Sequence, residues 1–87
     1  MSSRIAHQQL NEYRTALLRG DLSYVFAAVQ KRAWIFDPSI TAEQRRVTIG
    51  FLDQVVGHLA RKPEANPEAA LATLEKAREY WSAGPRD

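Results

Sequence analysis

The chain has 87 residues, 12 basic and 10 acidic side chains, no cysteine and a hydrophobic fraction of 45%. This length allows one domain, and the apolar content is too high for a disordered tail. Without cysteine, disulfides, thiolate metal sites and thiol nucleophiles are excluded. No apolar run approaches the length of about 20 residues that spans a bilayer, and the N-terminus has no signal-peptide pattern. We therefore expect no membrane segment and a cytoplasmic location.

The net charge of +2 is spread along the chain rather than concentrated in one segment. Residues 1–37 carry five basic and three acidic side chains, and residues 38–87 carry seven of each. A nucleic-acid footprint is usually a patch or stripe of one sign. The charge distribution therefore gives only weak support for nucleic-acid binding.

The first predicted helix covers residues 3–19. Gly20 is a typical helix stop and Asp21 a typical N-cap, so the connection to the next helix is very short. Short connections join antiparallel neighbours, and we therefore predict that the first two helices form an antiparallel helical hairpin. The apolar residues of this helix follow the spacing of one face: Ala6, Leu10, Tyr13 and Leu17, widened by Leu18.

The second predicted helix, residues 21–36, is the most apolar part of the chain. Asp37 and Pro38 stop it, because a residue before proline is disfavoured in the helical region. Apolar residues cover most of its circumference. One face contains Leu22, Val25, Phe26, Val29, Ala33 and Phe36, and the other contains Tyr24, Ala27, Ala28, Trp34 and Ile35.

The third predicted helix covers residues 41–61. Thr41 and Gln44 have the spacing of a capping box. Gly50 and Gly57 lie on nearly the same side, and each costs about 1 kcal/mol against alanine in a helix interior. Such glycines are tolerated more easily where another backbone comes close. The apolar face contains Thr48, Phe51, Leu52, Val55, Val56 and Leu59.

The fourth predicted helix covers residues 66–82 and has the clearest start signal, a capping Asn66 followed by Pro67 at the first helical position. Its inner stripe contains Ala70, Leu74, Ala77 and Trp81. The predicted fold is an all-α, compact bundle of four helices. Residues 1–82 are expected to form the single domain, and residues 83–87 a frayed tail.

Candidate catalytic groups are few. His58 lies five residues after Asp53, which does not place two ligands on one helix face, and Glu75 and Glu79 are interleaved with basic residues as on a solvated surface. No phosphate-loop, dinucleotide, zinc-protease or hydrolase-elbow motif occurs. We therefore predict that the protein is not an enzyme and uses no cofactor or metal.

The aromatic residues of the second helix allow two interpretations. In the first, this helix lies at the centre of the bundle and its aromatic side chains are core. In the second, Tyr24, Trp34 or Ile35 stays partly exposed and anchors another protein, because aromatic residues are common interaction hot spots.

The basic pair Arg45-Arg46 lies in the first turns of the third helix, where the helix dipole disfavours positive charge. It is either a solvated, partly paired surface or a contact to an acidic partner or to phosphate. If Tyr24 and Trp34 anchor a partner protein, Arg45 and Arg46 would set the orientation of that partner and the rate of association with it. With Lys31 and Arg32, the same pair would contact the phosphates of a nucleic acid.

The favoured function is a small protein-binding module: an adaptor, a subunit, or an inhibitor such as a bacterial or phage regulator. Its partner is another protein and not a membrane. One alternative is a nucleic-acid binder that uses the basic pairs, for which affinity would fall steeply with salt. A further alternative is a structural homodimer, for which the melting temperature would depend on concentration.

Overall fold

The computed structural model describes residues 3–61 and 63–83, and every regular element in this part of the chain is helical. The elements are α1 (Ser3–Leu18), α2 (Leu22–Lys31), a 3-10 turn (Ala33–Phe36), α3 (Ala42–Leu59) and α4 (Pro67–Ala83). Helix α1 packs against α2 and α4, and α3 also packs against α2 and α4. The predicted all-α bundle of four helices, with the first two as a helical hairpin, is confirmed.

One continuous core lies between the four helices, and the predicted stripes of α1, α3 and α4 form most of it. Leu18 is an exception, with 57% of its surface exposed, because it lies about 100° around the helix from the buried Leu17. The main buried residues of the three stripes are Ala6, Leu10, Tyr13, Leu17, Thr48, Leu52, Val55, Leu59, Ala70, Leu74, Ala77 and Trp81.

The hairpin turn between α1 and α2 depends on Gly20, whose φ of 81° lies in the left-handed region. The amide of Asp21 donates to the carbonyl of Ala16 at 3.0 Å, and that of Gly20 to Leu17 at 2.9 Å. This pair of bonds is the Schellman ending, which satisfies the last carbonyls of a helix. Asp21 occupies the N-cap position of α2, but its side chain makes no capping hydrogen bond, contrary to the expected cap.

The other two helix starts follow the sequence signals. The Thr41 hydroxyl accepts from the Gln44 amide, and the Gln44 side chain accepts from the Thr41 amide, both at 3.0 Å. At α4 the Asn66 side chain accepts from the amide of Ala69 at 3.2 Å. Each start therefore has at least one free backbone amide satisfied by its capping side chain.

The predicted continuation of the second helix to residue 36 is wrong. Helix α2 ends at Lys31, and Arg32 has φ 30° and ψ 37°, in the left-handed region. The chain then forms the short 3-10 turn, in which neighbouring residues differ in exposure. Ile35 has none of its surface exposed, whereas 68% of Phe36 is exposed.

Helix α2 also does not lie at the centre of the bundle. It has 10 residues and packs chiefly against α1 and α3, so one side of it faces outward. The expected close approach of a backbone at Gly50 and Gly57 is also wrong, because a Cβ at either position would meet no atom within 4 Å.

The ends of the last two helices differ slightly from the prediction. Helix α3 ends at Leu59 rather than at residue 61. Of the predicted tail at residues 83–87, Ala83 is the last residue of α4, and residues 84–87 lie outside the described residues. Among the described helices, none is both long enough and apolar enough to cross a bilayer.

Candidate functional site

The outward side of the α1–α2 hairpin carries two neighbouring grooves that share Tyr24. Tyr24 is 48% exposed and lines both grooves. The first groove has a volume of about 460 Å³ and is called here the Trp34 groove. Its lining includes Tyr13, Tyr24, Lys31, Arg32, Ala33 and Trp34.

The aromatic wall of the Trp34 groove is held together by hydrogen bonds within the chain. The indole N–H of Trp34 donates to the Tyr13 hydroxyl at 2.8 Å, and that hydroxyl makes a longer contact of 3.4 Å to the carbonyl of Ala28. Burial raises the pKa of Tyr13, so its hydroxyl stays neutral at physiological pH. Because these polar atoms are already paired, the wall offers mainly apolar surface to an occupant.

The basic end of the Trp34 groove is formed by Lys31 and Arg32. Arg32 donates from Nη1 to Oδ1 of Asp53 in α3 at 2.7 Å, which ties the end of α2 to the neighbouring helix. Lys31 is exposed, and no ion pair of its ammonium group occurs within residues 3–61 and 63–83. The groove therefore contains one cation that is paired and one that faces solvent.

The second groove, of about 480 Å³, lies on the other side of Tyr24 and has a more polar lining. Glu12 and Arg19 give it charges of both signs. Since such a lining is well satisfied by water, the apolar wall of the Trp34 groove is the better candidate for contact with another molecule.

The structure brings together four of the predicted site residues and separates the others from them. Tyr24, Trp34, Lys31 and Arg32 all line the Trp34 groove. Ile35 is fully buried, which contradicts the exposure that an anchor would need. Its burial follows from the break at Arg32, after which Ile35 is the residue of the 3-10 turn that faces the core.

Arg45 stabilises the loop that follows α2. It donates from Nε to the carbonyl of Ile35 at 3.0 Å and from Nη2 to that of Ile40 at 3.1 Å. Its guanidinium also lies 5.7 Å from the ring centroid of Phe36. Because Arg45 donates to backbone carbonyls of this chain, it has a structural role. The position of Arg45 near the start of a helix dipole did not predict this role.

Arg46 is exposed and pairs with Glu43 one turn earlier on α3, at 2.8 Å. Neither Arg46 nor Arg45 lines the two grooves. The four basic residues expected to contact phosphates are therefore divided between the Trp34 groove and the start of α3.

Sequence reasoning missed the exposure of Phe36, because a continuous helix would have placed it on the inner face. Within residues 3–61 and 63–83, three large apolar residues stay exposed, Leu18, Tyr24 and Phe36. All three belong to the part of the chain from the end of α1 to the 3-10 turn. The uncovered apolar surface is thus concentrated in one stretch of the chain.

The carboxylates of α4 take part in ion pairs rather than in a catalytic arrangement. Glu75 accepts from Arg14 of α1 and from Arg78 of α4, and the Arg14 hydrogen bond is the main cause of its lowered pKa. Among the described residues no group of three histidine, aspartate or glutamate side chains could hold a metal ion. The chain matches no protein-family model, no curated protein and no solved structure.

Proposed function

We propose that this chain is a non-enzymatic protein-binding module, acting as an adaptor, a subunit or an inhibitor of a larger protein in the cytoplasm. Its contact surface is the Trp34 groove, with Tyr24 as the anchor at its edge. The observation that carries the proposal is the half-exposed Tyr24 between two grooves on the outward side of the hairpin.

Three features of the groove favour a protein partner. Tyrosine and tryptophan are the residue types most often found as interaction hot spots. The Trp34 indole is held in place by Tyr13, so little side-chain freedom is lost on binding. Lys31 at the rim can also attract an acidic residue of the partner and raise the association rate.

Nucleic-acid binding is the weaker candidate. Arg32 is paired with Asp53 and Arg46 with Glu43, while Arg45 donates to backbone carbonyls. Phosphate contacts by these residues would compete with interactions that they already make, which leaves Lys31 as the available cation of the four.

Affinity capture with matched baits tests the proposal. The baits are the wild-type chain, Tyr24→Ala and Leu18→Ala, each incubated with nuclease-treated lysate of the source organism, and retained proteins are quantified by mass spectrometry. Leu18→Ala is the control because Leu18 is an exposed apolar residue that lines neither groove. Alanine is favourable in a helix, so both variants should keep the fold, which circular dichroism verifies.

We expect one protein to be retained equally by the wild type and by Leu18→Ala, and to be lost from Tyr24→Ala. Loss of a hot-spot side chain weakens binding by about 30-fold or more. If every retained protein is recovered equally with Tyr24→Ala, the groove is not a protein-binding surface. Retention that appears only in a parallel lysate without nuclease would instead favour the nucleic-acid alternative.

A further inference from the structure

Among residues 3–61 and 63–83, Phe36 is the most exposed large apolar side chain, and it follows the residues of the Trp34 groove along the chain. It is the last residue of the 3-10 turn that begins at Ala33, and Ala33 lines the groove. In a 3-10 helix the side chains at positions i and i+3 eclipse each other, so Phe36 lies on the same side of the turn as Ala33. The ring has the Arg45 guanidinium near it at 5.7 Å, stays 68% exposed, and belongs to the same side of the turn as one wall residue of the groove.

Phe36 is followed by a carboxylate. Oδ1 of Asp37 accepts from the Ser39 hydroxyl at 2.6 Å and from the Ser39 amide at 2.9 Å. These bonds lower the pKa of Asp37, so its side chain is anionic at physiological pH. Phe36-Asp37 is thus an exposed apolar residue beside a negative charge.

The Trp34 groove has the complementary chemistry. Its wall is aromatic and aliphatic, its charged lining residues are Lys31 and Arg32, and no carboxylate lines it. Lys31 is exposed and has no carboxylate partner within the described part of the chain. An occupant that brings a ring and a carboxylate together would cover the wall and pair this cation.

We propose that a second copy of this chain occupies the Trp34 groove. Its Phe36 packs against Tyr24 and Trp34, and its Asp37 carboxylate faces Lys31. In a twofold dimer each contact occurs twice, because the same patch is used on both copies. The adjacency of Phe36 and the groove on one face is the arrangement that such a patch requires.

This inference rests on the proposed role of the groove as a protein-binding surface and adds a consequence to it. Another protein and a second copy would occupy the same groove, so the two associations exclude each other. Self-association would then lower the apparent affinity for another protein in proportion to the fraction of free monomer.

Analytical ultracentrifugation over a concentration series tests the contact. We expect a reversible dimer for the wild type and for Leu18→Ala, and a dissociation constant about 30-fold higher for Phe36→Ala and for Tyr24→Ala. A wild type that stays monomeric over the series overturns the inference, and so does a dimer that both substitutions leave unchanged.

A charge exchange tests the pairing of Lys31 with Asp37. Lys31→Glu and Asp37→Lys should each weaken the dimer through like-charge repulsion, and the double variant should restore it. Lys76→Glu on the exposed side of α4 is the control for the change in net charge. Failure of the double variant to restore a dimer, with its circular dichroism spectrum unchanged, overturns this pairing.

Asp37→Lys also removes the acceptor of the Ser39 hydrogen bonds, so thermal unfolding at two concentrations is measured for every variant. A dimer whose stability is linked to association melts at a higher temperature when more concentrated. We expect this dependence for the wild type and the double variant and its loss for the single charge variants.

Phe36→Ala separates this inference from the proposed function, because it leaves the groove residues in place. In the capture experiment it should retain the other protein while failing to dimerise, whereas Tyr24→Ala should lose both associations. Capture that depends on Tyr24 with a monomeric wild type overturns only the self-association. A dimer that depends on Phe36 without any captured protein supports the inference and contradicts the adaptor or inhibitor role.

Discussion

The indole N–H of Trp81 in α4 donates to the hydroxyl of Thr48 in α3 at 2.9 Å, inside the core. Both residues are almost fully buried. An unpaired buried donor loses its hydrogen bond to water without replacement, so this bond allows a tryptophan to fill the α3–α4 interface.

Thr48→Val should therefore destabilise the fold although it keeps the shape of the side chain. We expect the free energy of unfolding to fall by about 1 to 3 kcal/mol, because the Trp81 N–H is left without an acceptor. Urea unfolding followed by circular dichroism measures the change. Thr48→Ser keeps the hydroxyl and should cost only about 0.8 kcal/mol for the lost methyl group; an equal or larger loss for Thr48→Ser would contradict the role of this bond.

Arg45 and Arg46 are neighbours in the sequence, but we expect them to contribute differently to the stability of the fold. Arg45→Ala removes the hydrogen bonds to the carbonyls of Ile35 and Ile40, and we expect a loss of about 2 kcal/mol in stability. Arg46→Ala breaks an exposed pair with Glu43 and should change stability much less than Arg45→Ala does, because solvent screens such a pair. Comparable thermal shifts for the two variants would show that Arg45 does not hold the loop.

The helix break at Arg32 can be tested by asking which of two variants, Arg32→Gly or Arg32→Ala, is the more stable. In a continuous helix, glycine at this position would be less stable than alanine by about 1 kcal/mol. With a left-handed φ of 30° the order reverses, because glycine adopts this conformation without the cost of about 1 kcal/mol that alanine incurs. Both variants lose the Asp53 pair, so their comparison isolates the backbone. We expect Arg32→Gly to melt at a higher temperature than Arg32→Ala.

Glu75 should make the stability depend on pH. Its pKa is lowered in the folded state, first by the Arg14 hydrogen bond, so its contribution is present above the ordinary glutamate pKa of about 4.3 and is lost as the pH falls through the lowered value. Glu75→Gln should therefore be less stable than the wild type at neutral pH, by at most about 1 kcal/mol because the pair is partly exposed. The difference should shrink as the pH falls below the ordinary value.

Unfolding in urea at a series of pH values measures this difference. Glu79→Gln is the matched control, since Glu79 is exposed on the same helix and no ion pair of its carboxylate occurs in the described ranges. A gap between wild type and Glu75→Gln that stays constant from neutral to acidic pH would exclude the ion pair as its source.

Most of the fold could be predicted from the sequence because it depends on local signals. The burial of Leu10, Leu74 and Trp81 follows from helical spacing alone. The ends of the helices follow from Gly20, Thr41 and Asn66, whose side chains or backbone freedom act within a few residues. Four amphipathic helices with short connections have few ways to bury their apolar faces, and the bundle is one of them.

The candidate site could be predicted only in part. Tyr24 and Trp34 could be named because aromatic residues exceed what a thin core can bury. Their position in one groove with Lys31 depends on where α2 ends, and the spacing of residues 22–36 gives no sign of that end. The burial of Ile35 and the exposure of Phe36 depend on that same end.

The sequence by itself thus determined α1, α3 and α4, their stripes and the caps at Thr41 and Asn66, since each of these depends on neighbours within one or two turns. The tertiary structure decided the break after Lys31. The contacts that accompany it come from residues distant in the chain: Asp53 pairs with Arg32, Arg45 binds the carbonyl of Ile35, and Tyr13 accepts from Trp34. Only in the folded bundle do these groups stand close enough to replace the helical hydrogen bonds that the break gives up.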